Sequence, residues 1–163
     1  MTWVVDASPL LFLARIDRLS LLSVEAEAVL VPDAVWNEVQ RIRDFASETI
    51  AELEAKGSWL RRASVGDRAG LATLEALVDA GEAEVLALAR EIGAARVVLE
   101  DLDARRLAHR LGLERVGTVG LLLAAKLRGD LPSLHSEISK LEAEGFFLSR
   151  ELKSAVLEAA GER

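Results

Sequence analysis

The chain has 163 residues, of which 51% are hydrophobic, and this is enough to build one core and predicts a single domain over residues 1–163. It has no cysteine and only two histidines, which argues against a disulfide framework and against a zinc site. The formal net charge of −7 argues against a protein that coats nucleic acid through bulk electrostatics. There is no basic leader, and the longest uncharged apolar run is about half of a membrane span, so we expect a cytoplasmic protein with no membrane partner.

Short β-branched runs alternate with longer helical patterns along the chain. Strands are predicted at 2–5, 28–31, 58–63, 96–99 and 114–116. Helices are predicted at 9–16, 32–43, 47–56, 67–80, 82–92, 101–111, 118–128, 133–144 and 150–159. Strands separated by helices form βαβ units, which place a parallel sheet between two helical layers. The predicted fold is a three-layer α/β/α sandwich with a mostly parallel sheet of about five strands, on which C-terminal helices over about 133–160 pack.

The stretch VVDASP places Asp6 at the carboxyl end of the first predicted strand. Ser8 followed by Pro9 is typical of an N-cap and a first helical position, so a helix is predicted to begin at Pro9. Ligands bind at the carboxyl edge of open parallel sheets, which makes Asp6 a candidate site residue. Considered alone, however, Asp6 is better explained as part of the helix cap.

Two glutamates lie on predicted helices next to apolar stripes. Glu38 adjoins Val39 in LVPDAVWNEVQRI, where an ordinary exposed glutamate is the simpler explanation. Glu82 follows Gly81 at the helix start in DAGEAEVLALAREIG. A carboxylate in the first turn suits the positive end of the helix dipole, which accounts for Glu82 and equally for Glu84. A helix start held in the core could also aim Glu82 into a pocket.

The strongest local signal is an acidic cluster after the fourth predicted strand, in the sequence VVLEDLDARR. Glu100, Asp101 and Asp103 fall within four residues, and N-capping explains one acid well but three poorly. If the first and fourth strands are neighbours, these acids meet Asp6 in one crevice. Carboxylates brought together repel each other unless a cation neutralises them. Oxygen ligands suit Mg²⁺ or Mn²⁺, so the pattern predicts a site for one of these ions.

The order of these motifs resembles the PIN-domain family. The segments that carry the resemblance lie within about 4–148 and read VVDASPLLFLA, VPDAVWNEV, GEAEVLALA, VVLEDLDARRLA and VGTVGLLLAAK. The nearest branch of the family has a Gly-Glu helix start and an Ala-Arg after the strand-four acids. Family members are Mg²⁺- or Mn²⁺-dependent ribonucleases, and many are the toxins of type II toxin–antitoxin pairs.

The resemblance implies a set of site residues in this chain. The implied catalytic acids are Asp6, Glu38, Glu82 and Asp101. The implied metal ligands are Asp6, Glu82, Asp101 and Asp103, the last of which matches a less constant acid. Thr118 matches a hydroxyl that is frequent near the site. The chain departs from the common pattern at Glu82, where many members have aspartate, and at Glu100, which is an additional acid.

The partners implied by the resemblance are an RNA substrate, an antitoxin protein and a second copy of the chain as a homodimer. Arg105 and Thr118 are the candidate RNA-binding residues, because arginine near a metal centre can hold flanking phosphates. Arginines on such helices more often form solvated salt bridges, which is the interpretation we favour for Arg110.

Three alternative classes remain open on the sequence. A receiver-type phospho-acceptor domain also gathers acids at strand ends, and Thr118 and Lys126 match its threonine and lysine. Its first strand, however, ends in a pair of acids rather than in one. A dinucleotide-binding domain is disfavoured because no G-x-G-x-x-G follows a strand. A catalytically inactive PIN-like binding module is compatible with every motif.

Overall fold

Five parallel strands form one sheet in the computed structural model, which describes residues 1–162, and their order is β3–β2–β1–β4–β5. The strands are β1 (Thr2–Val5), β2 (Ala28–Pro32), β3 (Leu60–Ala63), β4 (Arg96–Val98) and β5 (Arg115–Val116). The helices are α1 (Ala7–Arg15), α2 (Ser20–Glu25), α3 (Asp33–Ile42), α4 (Phe45–Ala55), α5 (Arg68–Glu75), α6 (Ala80–Ile92), α7 (Leu102–Arg110), α8 (Thr118–Arg128), α9 (Leu134–Ala143) and α10 (Arg150–Ala159). The predicted three-layer α/β/α sandwich is confirmed.

The first and fourth strands lie side by side in the middle of the sheet. Trp3 pairs with Arg96 and Val5 with Val98, and the Asp6 amide continues the ladder by donating to the Val98 carbonyl at 3.0 Å. Strands β2 and β3 lie on one side of β1, and strands β4 and β5 lie on the other. The crevice above β1 and β4 is therefore the topological switch point, where open α/β sheets bind ligands. This strand order also differs from the 2-1-3-4-5 order of receiver-type domains, which excludes that alternative.

The start of the first helix differs from its prediction. Helix α1 begins at Ala7, two residues before Pro9, and Asp6 rather than Ser8 occupies the N-cap position. Pro9 lies in the first turn, where the amide groups have no partner within the helix, so the missing N–H costs nothing there.

Three other helical segments also differ from their predictions. Helix α4 begins at Phe45, two residues before the predicted start at 47, because Asp44 is its N-cap. Helix α5 ends at Glu75 instead of reaching 80, because Asp79 caps a helix that begins at Ala80. Helix α2 has no counterpart among the predicted helices. It has six residues and its N-cap, Leu19, has no capping side chain, so the usual start signal is absent.

Two hydrophobic clusters hold these layers together. The larger surrounds the sheet, and Val4, Val5 and Val98 are among its fully buried members. The smaller joins α8, α9 and α10, with Leu122, Leu134, Ile138, Leu141 and Leu157 among its members. The C-terminal helices thus pack on the sheet domain through α8. Within residues 1–162, no helix is long and apolar enough to cross a membrane.

One buried carboxylate fastens α9 to the opposite end of the chain. Glu137 accepts hydrogen bonds from the Arg18 guanidinium and from Lys140, although its side chain is almost fully buried. Burial acts to raise the pKa of Glu137, but the hydrogen bonds from Arg18 and Lys140 outweigh it and hold that pKa below its ordinary value. The contact locks the α1–α2 turn onto α9.

Candidate active site

Asp6 lies at the switch point, where its carboxylate is next to the backbone amide of Ala7, the first residue of α1. Its backbone is extended, as an N-cap requires, yet its side chain makes no capping hydrogen bond to α1. Only 8% of the residue is exposed. A side-chain helix cap therefore does not account for the burial of this aspartate.

The start of α6 faces Asp6 from the neighbouring helix layer. Asp79 Oδ1 accepts from the Glu82 amide at 2.8 Å, and Glu82 Oε2 accepts from the Asp79 amide at 3.3 Å, which together form a capping box. A Cβ atom on Gly81 would lie 3.5 Å from Asp6 Oδ1 and 3.7 Å from Asp79 Oδ1. The carboxylates of Asp6 and Asp79 thus flank the same helical turn.

Asp101 completes the arrangement from the other side of the crevice. It is the N-cap of α7, and its Oδ2 accepts from the Ala104 amide at 3.0 Å. Asp101 therefore does cap the helix, as its sequence position suggested. The cap uses only one of the two carboxylate oxygens. Asp101 is exposed, in contrast with the buried Asp6.

Glu38 reaches the same region from α3. Val35 and Val39 on this helix are fully buried, whereas Glu38 is exposed at its flank, as predicted. Helix α3 is fixed against α6 by Glu84, which accepts from the Ala34 amide at 3.0 Å. Glu84 thus has a structural role and is not part of the site.

The charges of these residues act on one another. Burial raises the pKa of Asp6 to about 7; a hydrogen bond from the Ala7 amide opposes this in part, and the charges of Asp79, Glu38 and Asp101 add to the rise. Burial and the charges of Asp79, Asp101 and Asp6 raise the pKa of Glu82 to about 7 as well. The pKa of Glu38 is also raised, by burial and by Asp79. We call this set the acidic cluster, and its members are Asp6, Glu38, Asp79, Glu82 and Asp101.

Asp79 is the one member of the acidic cluster that is absent from the sequence-based prediction. The predicted helix over 67–80 runs through it, which hides its position as a helix cap. A signal is present, because Asp79 followed three residues later by Glu82 is the pattern of a capping box. The remaining four acids are those that the resemblance implied. Their catalytic roles stay predictions.

Asp103 lies outside the acidic cluster. Its side chain is 79% exposed and pairs with Arg106 on the next turn of α7 at 3.5 Å. Its charge is not among those that raise the pKa of Asp6 or Glu82. Since Asp101 is the N-cap, Asp103 is the second residue of the helix. Its assignment as a metal ligand stays a prediction.

Glu100, Thr118 and Arg105 form a separate polar group beside the acidic cluster. Glu100 Oε1 accepts hydrogen bonds from the Thr118 hydroxyl and, at 2.6 Å, from the Thr118 amide. Arg105 Nη1 donates to the Leu99 carbonyl at 3.2 Å. Burial raises the pKa of Glu100, and the Thr118 hydrogen bonds and the Arg105 charge offset this in part. Thr118 is fully buried, so its hydroxyl serves the start of α8, and RNA binding by Arg105 and Thr118 stays a prediction.

The donor chemistry of the acidic cluster suits a divalent cation. Its side chains all offer carboxylate oxygens, the type of donor that Mg²⁺ and Mn²⁺ prefer. Burial is the main cause of the raised pKa values of Asp6 and Glu82, and the repulsion between neighbouring acids, which a cation would relieve, adds to it. Glu82 and Asp101 each accept a capping hydrogen bond with one carboxylate oxygen, and the other oxygen of each takes no part in that bond. Among residues 1–162, the structure contains no group of three or more aspartate, glutamate or histidine side chains that is already arranged to hold a metal ion.

A parallel sheet with acids at its switch point defines an α/β protein whose site lies at the carboxyl edge of the strands. A family model described as a PIN domain matches residues 2–162. The chain therefore belongs to the PIN-domain family, as the motif resemblance implied. PIN domains are generally nucleases and typically use divalent metals. Comparison with curated proteins found no significant match.

Proposed function

We propose that this protein is a ribonuclease that hydrolyses RNA phosphodiester bonds at the acidic cluster and requires Mg²⁺ or Mn²⁺. The observation that carries the proposal is the convergence of acids from β1, α6 and the end of β4 at the switch point, where burial, together with the charges of neighbouring acids, raises the pKa of both Asp6 and Glu82 to about 7. Structural caps alone give no reason for such mutual repulsion, whereas a cation site does.

The acids would have different tasks. Asp6, Glu82 and Asp101 would hold the cation, and the buried Asp6 would fix its position at the base of the crevice. A divalent cation, when bound, supplies positive charge that stabilises the phosphodiester transition state and polarises water. Glu38 lies exposed at the rim with a raised pKa, which suits it to accept a proton from the attacking water.

The proposal predicts metal-dependent cleavage of RNA. The purified protein should cleave a labelled single-stranded RNA when Mn²⁺ is added and should lose that activity in excess EDTA. Asp130→Asn, an exposed aspartate that pairs with Arg128 far from the crevice, should cleave at the parental rate. Absence of cleavage by a folded protein whose melting temperature nevertheless rises with Mn²⁺ would favour the inactive binding module instead.

The antitoxin and homodimer partners are part of the same proposal. Supporting them, the junction of α3 and α4 exposes Ile42 and Phe45, two large apolar side chains that water solvates poorly. We expect a homodimer at micromolar concentration, measured by light scattering on the purified chain. A monomer would remove the homodimer and leave the catalytic proposal intact.

A further inference from the structure

A basic groove runs along α7 toward the edge strand β5, in a protein whose net charge is −7. The groove has a volume of about 280 Å³ and is lined by Leu102, Arg105, Arg106, His109, Arg110 and Arg115. We refer to these residues as the basic groove. Among residues 1–162, no acidic side chain lines this groove.

The cations of the basic groove have few acidic partners. Arg106 pairs with Asp103 at 3.5 Å, and both side chains are largely exposed, so this pair is weak. Arg115 Nη1 lies 3.4 Å from His109 Nδ1, which places two basic groups together. Across the described part of the chain, neither Arg110 nor Arg115 has a carboxylate within 4.0 Å. Such a concentration of cations is complementary to a polyanion.

The basic groove is continuous with the acidic cluster. Helix α7 begins directly after Asp101, and Leu102 is the first residue of both the helix and the groove lining. Arg106 and Arg110 lie one turn apart on the same face, which spaces their Cα atoms about 6 Å along the helix axis. A chain of phosphates leaving the crevice above Asp101 would therefore meet these arginines in succession.

An aromatic side chain lies next to the same arginines. A second groove, of about 620 Å³, shares Leu102, Arg105 and Arg115 with the basic groove and also includes Phe147. Phe147 is 86% exposed, so its ring contributes little to the core. A cationic groove with an exposed aromatic ring is the combination that binds single-stranded nucleic acid, the ring stacking on bases while the arginines bind phosphates.

We propose that the basic groove and Phe147 bind single-stranded RNA and lead it to the acidic cluster. This inference rests on the proposed ribonuclease function and adds to it the residues that bind the RNA outside the acidic cluster and the path that the RNA takes. An acidic protein segment would also complement the arginines. Single-stranded RNA is favoured because the groove starts at the acidic cluster and because Phe147 offers a stacking surface, which phosphate binding alone does not require.

Binding measured without cleavage tests this inference. Fluorescence anisotropy of a short labelled oligouridylate is followed in EDTA over a range of salt concentrations. Arg110→Ala/Arg115→Ala should weaken binding about tenfold or more and should reduce the slope of log affinity against log salt by about 0.7 for each phosphate that the protein no longer neutralises. Phe147→Ala should weaken binding about fivefold or more with the slope unchanged.

Matched variants separate this effect from a change in net charge or folding. Arg61→Ala/Arg68→Ala removes the same charge from β3, at the opposite edge of the sheet, and from α5, and it should bind like the parent. Arg110→Lys/Arg115→Lys should keep the parental salt slope. If the Arg110/Arg115 and Arg61/Arg68 alanine pairs weaken RNA binding equally, the inference is overturned. An acidic protein segment would then be the better candidate for the ligand of the basic groove. If the parent protein binds RNA through the basic groove but does not cleave it with Mn²⁺, the proposed function would fail and the inference about RNA binding would stand.

Discussion

Asp101→Asn is expected to reduce RNA cleavage about a hundredfold or more while the protein remains folded. Asparagine and aspartate rank together as N-caps, and an asparagine side-chain oxygen can still accept the 3.0 Å hydrogen bond from the Ala104 amide. The substitution therefore keeps the cap and removes only a negative charge. If Asp101 acts through that charge, cleavage and stabilisation by Mn²⁺ should both be lost.

Asp67 provides a matched control for this experiment. It is the N-cap of α5 and accepts from the Gly70 amide at 3.0 Å, but it is exposed and lies outside the acidic cluster. Asp67→Asn should therefore leave cleavage, thermal stability and the Mn²⁺ response at parental values. Rates of cleavage and melting curves with and without Mn²⁺ compare the two variants. If Asp101→Asn cleaves RNA at the parental rate, the role of Asp101 is purely structural.

The departures from the common family pattern have structural explanations. In a capping box the third helical residue must reach back to the N-cap amide, and glutamate or glutamine does this. Glu82 makes that hydrogen bond to Asp79, which explains a glutamate where many PIN domains have aspartate. Glu100 supplies the oxygen that the N-cap of α8 lacks, because that N-cap is Gly117 and has no side chain.

Local pattern predicts most of the fold because strands and helices are each marked by nearby residues. β1, α8 and α10 have the predicted bounds, and the ends of the other strands differ by one or two residues. The site depends on the pairing of β1 with β4. No local sequence pattern indicates which strands are neighbours, so this pairing could be assumed but not predicted. It depends on the connection from β3 to β4, which carries the chain back across the sheet to the free side of β1.

The parts of the site that escaped prediction depend on contacts between distant segments. The hydrogen bonds of Glu100 with Thr118 join residues eighteen apart, and the contact between Glu84 and Ala34 joins residues fifty apart. Neither could be read from periodicity, which reports only which face of an element is buried. Burial of Asp6 was likewise invisible, since a strand-end aspartate is ordinarily a cap or a solvated turn.

The free energy of unfolding of the metal-free protein is expected to increase as the pH falls from about 8 to about 5. The folded state holds the pKa of Asp6 at about 7, against an ordinary value of 3.8. Between these values the folded protein binds more protons than the unfolded chain, so lowering the pH favours the folded state. The stabilisation is complete below the unfolded pKa and is lost as the pH rises through 7. For Asp6 we expect a change of about 2 kcal/mol, or about 4–8 °C in melting temperature.

Asp6→Asn should flatten this pH dependence, because asparagine does not ionise, and the part that remains should come from Glu82, whose pKa is also raised to about 7. The slope against pH is the quantity to compare, since a buried amide without partners lowers stability at every pH. Saturating Mn²⁺ should flatten the parental profile too, by stabilising the ionised carboxylates at high pH. Asp130→Asn should keep the full parental slope. A parental melting temperature that stays constant from about pH 5 to about pH 8 in EDTA would mean that water already screens these charges, and the case for a cation at Asp6 would fall with it.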